Sequence, residues 1–294
     1  MYRNLAVAYP RANAKPFEPE RTRPKMTSLI SWIAADSRGP TSAYFASDSR
    51  ISWPRVGVWD QARKLFACRR YPHIFGYCGE AFFPTQTLSQ ITELIDSDLL
   101  PGGPSDPVDK CTDQIVSTIE SALKTYPAAA KQPFDVLYCM REGEFIPSRF
   151  HLRQITFDPI AGTRVSSIEI PGCSQVVAVL GSGSKVVRMH LSDWNSSDVG
   201  GTSRAAFSAF CDSLRSGSDP YSGGPPQLVG LWRRSAPRTF GIIWQQRRYF
   251  YGVETEAKGA QNEVRWYNEL FEICDPHTLA GNPSAQRQPR PKRT

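Results

Sequence analysis

The chain has 294 residues, a formal net charge of +7 and 40% hydrophobic residues. That length allows one domain of roughly 200–250 residues with tails. The sequence contains no run of about 18 apolar residues, which argues against a transmembrane helix. Its first residues lack an apolar h-region and a small-residue cleavage site, which argues against a secretory signal.

The positive charge is concentrated at the two ends of the chain. Residues 1–25 carry six Lys or Arg against two Glu, and residues 281–294 carry four Lys or Arg and no acid. Each end has a net charge of +4, which leaves −1 for residues 26–280. Such polar, proline-rich ends cannot bury enough apolar surface to fold alone. We therefore expect a disordered basic tail at 281–294 and solubilising ends rather than nucleic-acid binding.

The cysteines and histidines show no pattern of a metal site. Seven cysteines are scattered along the chain without a CxxC pair, and the four histidines lack ligand spacing. This pattern indicates reduced, mostly buried thiols in a cytoplasmic protein rather than a disulfide framework. Neither a metal nor a cofactor is expected.

The first half of the body predicts strands followed by two helices. "TSLISWIAA" and "TSAYFASD" flank the turn "DSRGP" and predict a hairpin, and "RKLFAC" and "PHIFGYCG" predict a second pair of strands. Helical periodicity follows over residues 85–99 and, more clearly, over 107–126. The apolar stripe of the second helix consists of Val108, Cys111, Ile115, Ile119, Leu123 and Tyr126.

The second half repeats this order of strands and helices. "FDVLYCM", "FHLRQITFD", "RVSSIEI" and "QVVAVLG" predict strands, and residues 184–193 and 202–216 predict helices. "QLVGLWRR", "RTFGIIWQ" and "RRYFYGVE" predict further strands, and residues 262–274 a short terminal helix. Segregated strands and helices predict an α+β fold in which two sheets pack face to face with helix pairs outside.

Five polar residues lie near the ends of these predicted strands, and one glycine lies within "IFGYCG". They are Asp48, Lys64, Gly76, Ser182, Asp219 and Ser222. Sixteen residues separate Asp48 from Lys64, 37 separate Ser182 from Asp219, and three separate Asp219 from Ser222. The motifs "TSLISW", "ASDSR", "RKLF", "GYCGEA", "GSGS" and "SDPYSGG" follow one another in that order. In order and spacing they resemble the proteasome β-subunit family, whose members are N-terminal-nucleophile threonine hydrolases and include the peptidase subunit of the bacterial ATP-dependent protease.

The resemblance covers about residues 27–245 and implies a four-layer αββα sandwich. It implies a peptidase domain at 27–252 and leaves a C-terminal extension with a short helix at 253–280. Residues 1–26 are then a disordered leader or propeptide, or lie upstream of the true start. The first hairpin is longer than is usual in the family, and Met26 stands where self-cleaving members carry Gly.

The resemblance also assigns roles to the site residues. Thr27 would be the N-terminal nucleophile, with its own α-amine as the base, since an α-amine has a pKa near 8 in model compounds. Lys64 would lie beside its hydroxyl, held by Asp48. The Gly76 backbone N–H would face the oxyanion. The remaining three residues, Ser182, Asp219 and Ser222, would orient the amine and relay its proton.

The resemblance further implies a substrate pocket and an assembly. Ile51, Phe66, Ile74 and Cys78 would line the pocket for the residue before the scissile bond and favour apolar side chains. We expect a homo-oligomeric ring that cleaves polypeptides in the cytoplasm, with an ATP-dependent unfoldase as a candidate partner and no membrane association. The segment "FFPTQTLSQITELI" would offer an apolar stripe to neighbouring subunits.

Three alternatives to a threonine endopeptidase stay open at this stage. A non-catalytic ring subunit would share the fold, but it would have no use for Thr27, Asp48 and Lys64 together. An N-terminal-nucleophile amidase would act on small molecules instead of peptides. A nucleic-acid binder would depend on the basic ends.

A free Thr27 amine could arise by translation from Met26 followed by removal of that methionine, or by self-cleavage after Met26.

Overall fold

The computed structural model describes residues 26–53, 55–256 and 264–283. The predicted leader up to residue 25, and the part of the predicted basic tail from residue 284 onward, lie outside the described residues.

The described elements follow the predicted order. The strands are β1 (Leu29–Asp36), β2 (Gly39–Ser47), β3 (Ile51–Trp53), β4 (Gly57–Trp59), β5 (Leu65–Ala67), β6 (His73–Gly79), β7 (Phe134–Glu142), β8 (Arg149–Asp158), β9 (Gly162–Ile168), β10 (Gln175–Leu180), β11 (Gln227–Trp232), β12 (Arg238–Thr239), β13 (Gly241–Trp244), β14 (Arg247–Phe250), β15 (Val253–Glu254), β16 (Trp266–Asn268) and β17 (Ile273–Cys274). The helices are α1 (Phe82–Asp96), α2 (Val108–Thr125), α3 (Ser184–Asn195) and α4 (Ser203–Ser216), with a 3-10 turn at Ala128–Ala130. The strands and helices predicted before residue 255 are therefore confirmed, with ends shifted by a few residues.

Most strands lie in three five-stranded sheets. The first sheet has the order β10-β1-β2-β11-β12, the second β5-β6-β7-β8-β9, and the third β15-β14-β13-β16-β17, while β3 and β4 form a separate hairpin. Every named strand pair is antiparallel except β13 with β16. The described chain is thus a mixed α/β fold with antiparallel sheets and four α-helices.

Three main clusters of buried apolar side chains connect these elements. One contains residues of the first sheet and of α3 and α4, such as Trp32 and Phe207. A second contains residues of the second sheet and of α1 and α2, such as Phe75 and Ile91. A third joins side chains of β1 and β2 to side chains of β6 and β7. Because side chains alternate along a strand, the first sheet and the second sheet each bury apolar side chains on both faces.

The helix pair α1 and α2 packs its apolar residues inward. The α2 residues Cys111, Ile115, Ile119 and Leu123 are buried, as the predicted stripe requires. On α1, Phe83, Leu88, Ile91 and Ile95 are buried in the same cluster, and Phe82 is 65% exposed. The expectation that this segment offers an apolar stripe to neighbouring subunits is therefore wrong, because the stripe is used by the protein's own core.

The terminal helix predicted over residues 262–274 is wrong for the residues described there. The short strands β16 and β17 take its place, and β16 pairs in parallel with β13. The Asn268 side chain accepts hydrogen bonds from the backbone N–H groups of Leu270 (2.9 Å) and Glu272 (3.0 Å) and so forms a tight turn between the strands. Such local side-chain bonds compete with helix hydrogen bonds. The helical spacing of apolar residues was therefore misleading.

The C-terminal segment packs on the first sheet. The rings of Phe271 and Tyr267 stack with centroids 4.5 Å apart, and the Phe271 ring also contacts Tyr44 (5.9 Å) and Phe207 (5.6 Å). The predicted domain boundary at residue 252 falls inside the third sheet, since β13 and β14 precede it and β15 to β17 follow it. The extension therefore completes a sheet of the main body.

We predict that Phe271→Ala destabilises the protein by about 3 kcal/mol, because it removes a ring from this aromatic cluster and leaves a cavity. Urea denaturation of the full chain measures the loss. Ile160→Ala is the matched control, because Ile160 is 97% exposed, and it should change stability by less than about 0.5 kcal/mol. Equal stability of Phe271→Ala and the parent would mean that the extension adds nothing to the fold.

Candidate active site around Thr27

The candidate site lies where β1 begins and β2 ends. Leu29 pairs with Ser47 across the β1–β2 hairpin, so Thr27 and Ser28 approach Asp48 on the neighbouring strand. The Ser28 N–H donates to Asp48 Oδ1 (3.1 Å), and the Asp48 N–H donates to the Ser28 carbonyl (3.2 Å). This backbone pairing places Thr27 next to Asp48 although 21 residues separate them in sequence.

Lys64 connects Asp48 to the Thr27 hydroxyl. Its Nζ donates to Asp48 Oδ1 (2.8 Å) and to Thr27 Oγ1 (2.9 Å). All three residues are at least 98% buried. Burial lowers the pKa of Lys64, and the charge of Asp48 opposes this shift. A buried ammonium beside a hydroxyl stabilises negative charge that develops on that oxygen.

The Asp48 carboxylate is held by four donors. Besides Lys64 and Ser28, the backbone N–H groups of Arg50 and Gly223 donate to its Oδ2, each at 3.0 Å. Such hydrogen bonds satisfy a buried charge that would otherwise be costly. Asp48 can therefore stay fully buried and fix the direction of Lys64.

Gln227 fixes the backbone of Asp48 and Lys64 by hydrogen bonds, and sequence reasoning did not identify it. Its side-chain Oε1 accepts a hydrogen bond from the backbone N–H of Lys64 (3.1 Å), and its Nε2 donates to the carbonyls of Asp48 (3.1 Å) and Ala62 (2.7 Å). Gln227 is the first residue of β11 and is only 2% exposed. The one signal in the sequence is an amide directly before an apolar strand.

The backbone N–H that faces the bond before Thr27 belongs to Gly79 and not to the predicted Gly76. The Gly79 N–H donates to the Met26 carbonyl oxygen at 3.1 Å. Gly76 lies inside β6, in register with Leu65 and Leu137, and a Cβ on it would meet the side chains of Leu29 and Leu65 at 2.9 Å. Gly76 thus serves close packing in the core.

Glycine is required at position 79 by the backbone. Its φ is +99°, and a Cβ there would lie 2.6 Å from the Pro133 carbonyl oxygen. A side chain would therefore be strained and would collide with fixed backbone. Both glycines occur in the motif "GYCGEA", so sequence reasoning found the right strand and chose the wrong glycine for the position beside Met26.

The serines and Asp219 form a hydrogen-bonded chain that reaches Ser28. Ser182 Oγ (2.7 Å) and Ser222 Oγ (2.6 Å) both donate to Asp219 Oδ2, and Ser28 Oγ donates to Ser222 Oγ (2.9 Å). The Gly183 N–H also donates to the Thr27 carbonyl (3.4 Å). The structure thus brings all three predicted residues together beside the Thr27–Ser28 backbone.

Ser28 is a further polar residue that sequence reasoning missed. It is 2% exposed, and a Cβ on Gly183 would lie 1.9 Å from its Oγ. Glycine at position 183 is therefore needed for the close approach of Ser28. The pair "TS" after Met26 was the available signal, since both hydroxyls point into the site.

Thr27 has an unusual backbone conformation, with a φ of +125°. Positive φ is a genuine outlier for a β-branched residue, because its Cβ substituents crowd the backbone. Strain of this kind costs of order 1–3 kcal/mol and persists only where surrounding contacts enforce it. Here the contacts of Met26 with Gly79 and of the Thr27 hydroxyl with Lys64 hold the residue on both sides.

A cavity of about 820 Å³ opens beside the Met26–Thr27 bond. Met26 and Gly79 contribute to its wall, together with Ile51, Trp53 and Trp59 from the β3–β4 hairpin. Sequence reasoning did not predict this hairpin. Both tryptophans are 48% exposed, so they offer aromatic surface to whatever enters the cavity.

Of the four predicted pocket residues, only Ile51 lines this cavity. Phe66 is 1% exposed and packs in the cluster with α1 and α2, while Ile74 and Cys78 are 0% exposed and pack between the two sheets. The prediction is wrong for these three, because successive side chains of β5 and β6 point into one core or the other. The β3–β4 hairpin supplies the wall instead.

Neither a metal centre nor a membrane span was found in the described part of the chain. Residues 26–53, 55–256 and 264–283 contain no group of three or more His, Cys, Asp or Glu that could hold a metal ion. None of the helices within these ranges has the length and apolar character that crossing a bilayer requires.

The comparisons with known proteins yield similarity in fold alone. No protein-family model and no curated protein matches the sequence. A solved structure of eukaryotic HslV from Trypanosoma brucei is 12% identical, with a TM-score of 0.44, over 69% of this chain and 99% of that chain. The structure of Anbu (ancestral beta-subunit) from Yersinia bercovieri is 11% identical, with a TM-score of 0.49, over 72% of this chain and 87% of that chain. In fold the chain is similar to proteasome β-subunit-like proteins, as its motif order predicts.

Proposed function

We propose that the protein is a threonine-type endopeptidase with Thr27 as its N-terminal nucleophile. The observation that carries this proposal is the buried contact of Lys64 Nζ with both the Thr27 hydroxyl (2.9 Å) and Asp48 (2.8 Å). A threonine hydroxyl is a weak nucleophile until a nearby group activates it. The positive charge of Lys64 lowers the cost of forming an alkoxide at Oγ1.

The proposed base is the α-amine of Thr27 once that residue is N-terminal. The amine takes the hydroxyl proton while Oγ1 attacks the carbonyl carbon of the substrate. The chain of Ser28, Ser222 and Asp219 lies beside this backbone and would orient the amine and accept its hydrogen bonds. The proton then passes to the leaving amine of the substrate, and water hydrolyses the ester at Oγ1.

The Gly79 N–H is the proposed oxyanion donor. It contacts the Met26 carbonyl oxygen, which occupies the position that the carbonyl of a substrate residue would take before the scissile bond. A donor of this kind contributes about 10²–10³ to the rate in other hydrolases. Since the donor is the backbone N–H of Gly79, whose φ of +99° only glycine adopts readily, its direction is set by the fold.

The cavity beside Met26 supports an apolar preference for the substrate residue before the scissile bond. Met26 borders the cavity together with Ile51, Trp53 and Trp59. Once Met26 is removed, the space that its apolar side chain takes is open to the substrate residue.

The cavity wall also contains Arg63 and Glu80. Arg63 Nε donates to the Leu65 carbonyl (3.0 Å), and the Glu80 carboxylate accepts from the backbone N–H groups of Phe82 (2.7 Å) and Phe83 (2.8 Å). An arginine or glutamate in the substrate would therefore lose water and have to compete with these bonds for a partner.

A four-layer αββα arrangement and a ring of identical subunits remain part of the proposal. The three clusters of buried residues support the layers, since each joins two adjacent ones. The ring, an unfoldase partner and a cytoplasmic location rest on the motif resemblance to proteasome β-subunits. Native mass spectrometry would measure the number of subunits directly.

The two alternative functions share the fold and differ in the site. A non-catalytic subunit would not need a buried lysine between Asp48 and a threonine hydroxyl, and such a charge is costly to bury. An amidase for small molecules would use the same nucleophile in a closed pocket. A cavity of about 820 Å³ has room for either kind of substrate, so comparing the turnover of peptides with that of small amides separates the two functions.

We predict that Thr27→Val abolishes peptidase activity in a chain that begins at Met26, because valine keeps the shape and removes the nucleophile. The loss in kcat should reach at least about 10³-fold. Thr27→Ser is the matched control, since it keeps a hydroxyl, and it should retain measurable activity. Hydrolysis of fluorogenic peptides provides the assay. Near-normal turnover by Thr27→Val would show that Thr27 is not the nucleophile.

For the free amine, we infer self-cleavage between Met26 and Thr27. The Gly79 contact with the Met26 carbonyl and the strained Thr27 backbone support this route. Attack of Oγ1 on that carbonyl breaks the Met26–Thr27 amide bond, and the hydroxyl proton passes to the leaving nitrogen. This gives an ester and the free Thr27 amine, and water then hydrolyses the ester and releases the leader. In the full-length chain, Thr27→Ala should keep the leader while the parent loses it, as intact mass shows. Retention of the leader by both chains would exclude self-cleavage and leave translation from Met26 as the source of the amine.

A peptide series that differs only in the residue before the scissile bond tests the predicted specificity. We expect a higher kcat/KM for leucine or methionine than for arginine or glutamate at this position, because most of the exposed surface of the cavity wall is apolar. Removing hydrophobic wall area by Trp59→Ala should reduce this preference. A profile dominated by arginine or glutamate would contradict the proposed role of the cavity.

A further inference from the structure

A second cavity, of about 460 Å³, lies at the far end of the first sheet from Thr27. It is formed by the β1–β2 turn, the β7–β8 loop, the β11–β12 loop and the residue before β16. Five arginines line it: Arg38, Arg233, Arg234, Arg238 and Arg265. Phe145, Ile146 and Trp232 provide apolar surface between them. We call it the arginine pocket.

The arginine pocket has more positive charge than its neighbouring acids neutralise. Asp36 contacts Arg233 (3.3 Å) and Arg38 (3.9 Å), and Glu144 contacts the buried Arg141 (3.9 Å) behind the pocket. The other three lining arginines have no carboxylate within salt-bridge distance among the described residues. Three guanidinium groups are therefore available to an anion.

The walls of the arginine pocket are held in place by one backbone hydrogen bond and by the side chain of Arg141. The Phe145 N–H donates to the Arg233 carbonyl (3.0 Å), and Arg141 Nη1 donates to the carbonyls of Trp232 (2.7 Å) and Ser235 (2.9 Å). These bonds fasten the β7–β8 loop to the β11–β12 loop. A preformed wall binds a ligand without a large ordering cost.

We propose that the arginine pocket binds a small ligand that carries two or more phosphate groups. Guanidinium forks match phosphate oxygens in two parallel hydrogen bonds, and lysine is absent from the lining. A single carboxylate needs one fork, whereas three free arginines match a ligand with several negative charges. The Arg234 guanidinium already lies over the Phe145 ring (5.0 Å), and such stacked pairs also accept planar rings of a ligand.

The arginine pocket is separate from the proposed peptidase site. β1 runs from Leu29, near Thr27, to Asp36 at the pocket, and its 8 residues span roughly 26 Å at the usual rise of a strand. No hydrogen bond or ion pair among the described residues joins a residue that lines the pocket to Thr27, Asp48 or Lys64. Ligand binding can therefore be measured whether or not the protein cleaves peptides.

Isothermal titration calorimetry of the full chain with tripolyphosphate, and separately with metal-free ATP, tests the proposal. We expect saturable binding of both probes with one site per chain. Equal affinities would assign recognition to the phosphates alone. Tighter binding of ATP would show that the aromatic wall also contacts the nucleoside, which equally supports the site.

Two double variants with the same change in net charge separate the pocket from general electrostatics. Arg234→Ala with Arg238→Ala should weaken binding at least about tenfold, which corresponds to the loss of one or more bidentate guanidinium–phosphate contacts. Arg149→Ala with Arg164→Ala removes two exposed arginines outside the pocket and should leave the affinity unchanged. If the first pair does not fold, Arg265→Ala replaces it. No binding at about 1 mM probe, or an equal loss in both pairs, would overturn the proposal.

Discussion

The buried ion pair of Lys64 and Asp48 is the interaction on which the site depends. Burying two charges costs several kcal/mol for each ion, and a pair of this kind is worth keeping only where hydrogen bonds satisfy both groups. Asp48 accepts from three backbone N–H groups besides Lys64. The Gln227 side chain hydrogen-bonds to the backbone of both partners, to the Lys64 N–H and to the Asp48 carbonyl. Because Asp48 follows a strand of the first sheet and Lys64 precedes a strand of the second, the pair also joins the two sheets.

Much of this arrangement could be predicted from the sequence, because periodicity and spacing carry it. The α2 stripe at three- and four-residue steps predicted a buried helix face, and Cys111, Ile115 and Ile119 form it. The interval of sixteen residues between Asp48 and Lys64 predicted their contact through the resemblance to a known family. The α2 stripe is a local pattern and the Asp48–Lys64 spacing is a single interval, so both can be recognised without knowledge of the tertiary packing.

Other features depend on three-dimensional contacts that no pattern encodes. Whether Gly76 or Gly79 faces Met26 is decided by the φ of +99° and the nearby Pro133 carbonyl. Phe66 was assigned to the pocket although the direction of its strand turns it into the core. A turn stands where a helix is predicted, because the Asn268 side chain accepts two backbone hydrogen bonds there. In each case a tertiary contact outweighed a sequence tendency.

Covalent trapping of the nucleophile tests the central claim most directly. A β-lactone that carries an apolar side chain acylates an activated hydroxyl, and mass mapping of the digested protein locates the added group. The account predicts one adduct, on Thr27, and only in chains whose Thr27 amine is free. An adduct on another residue, or peptidase activity that persists once Thr27 is fully acylated, would contradict the assignment of Thr27 as the nucleophile.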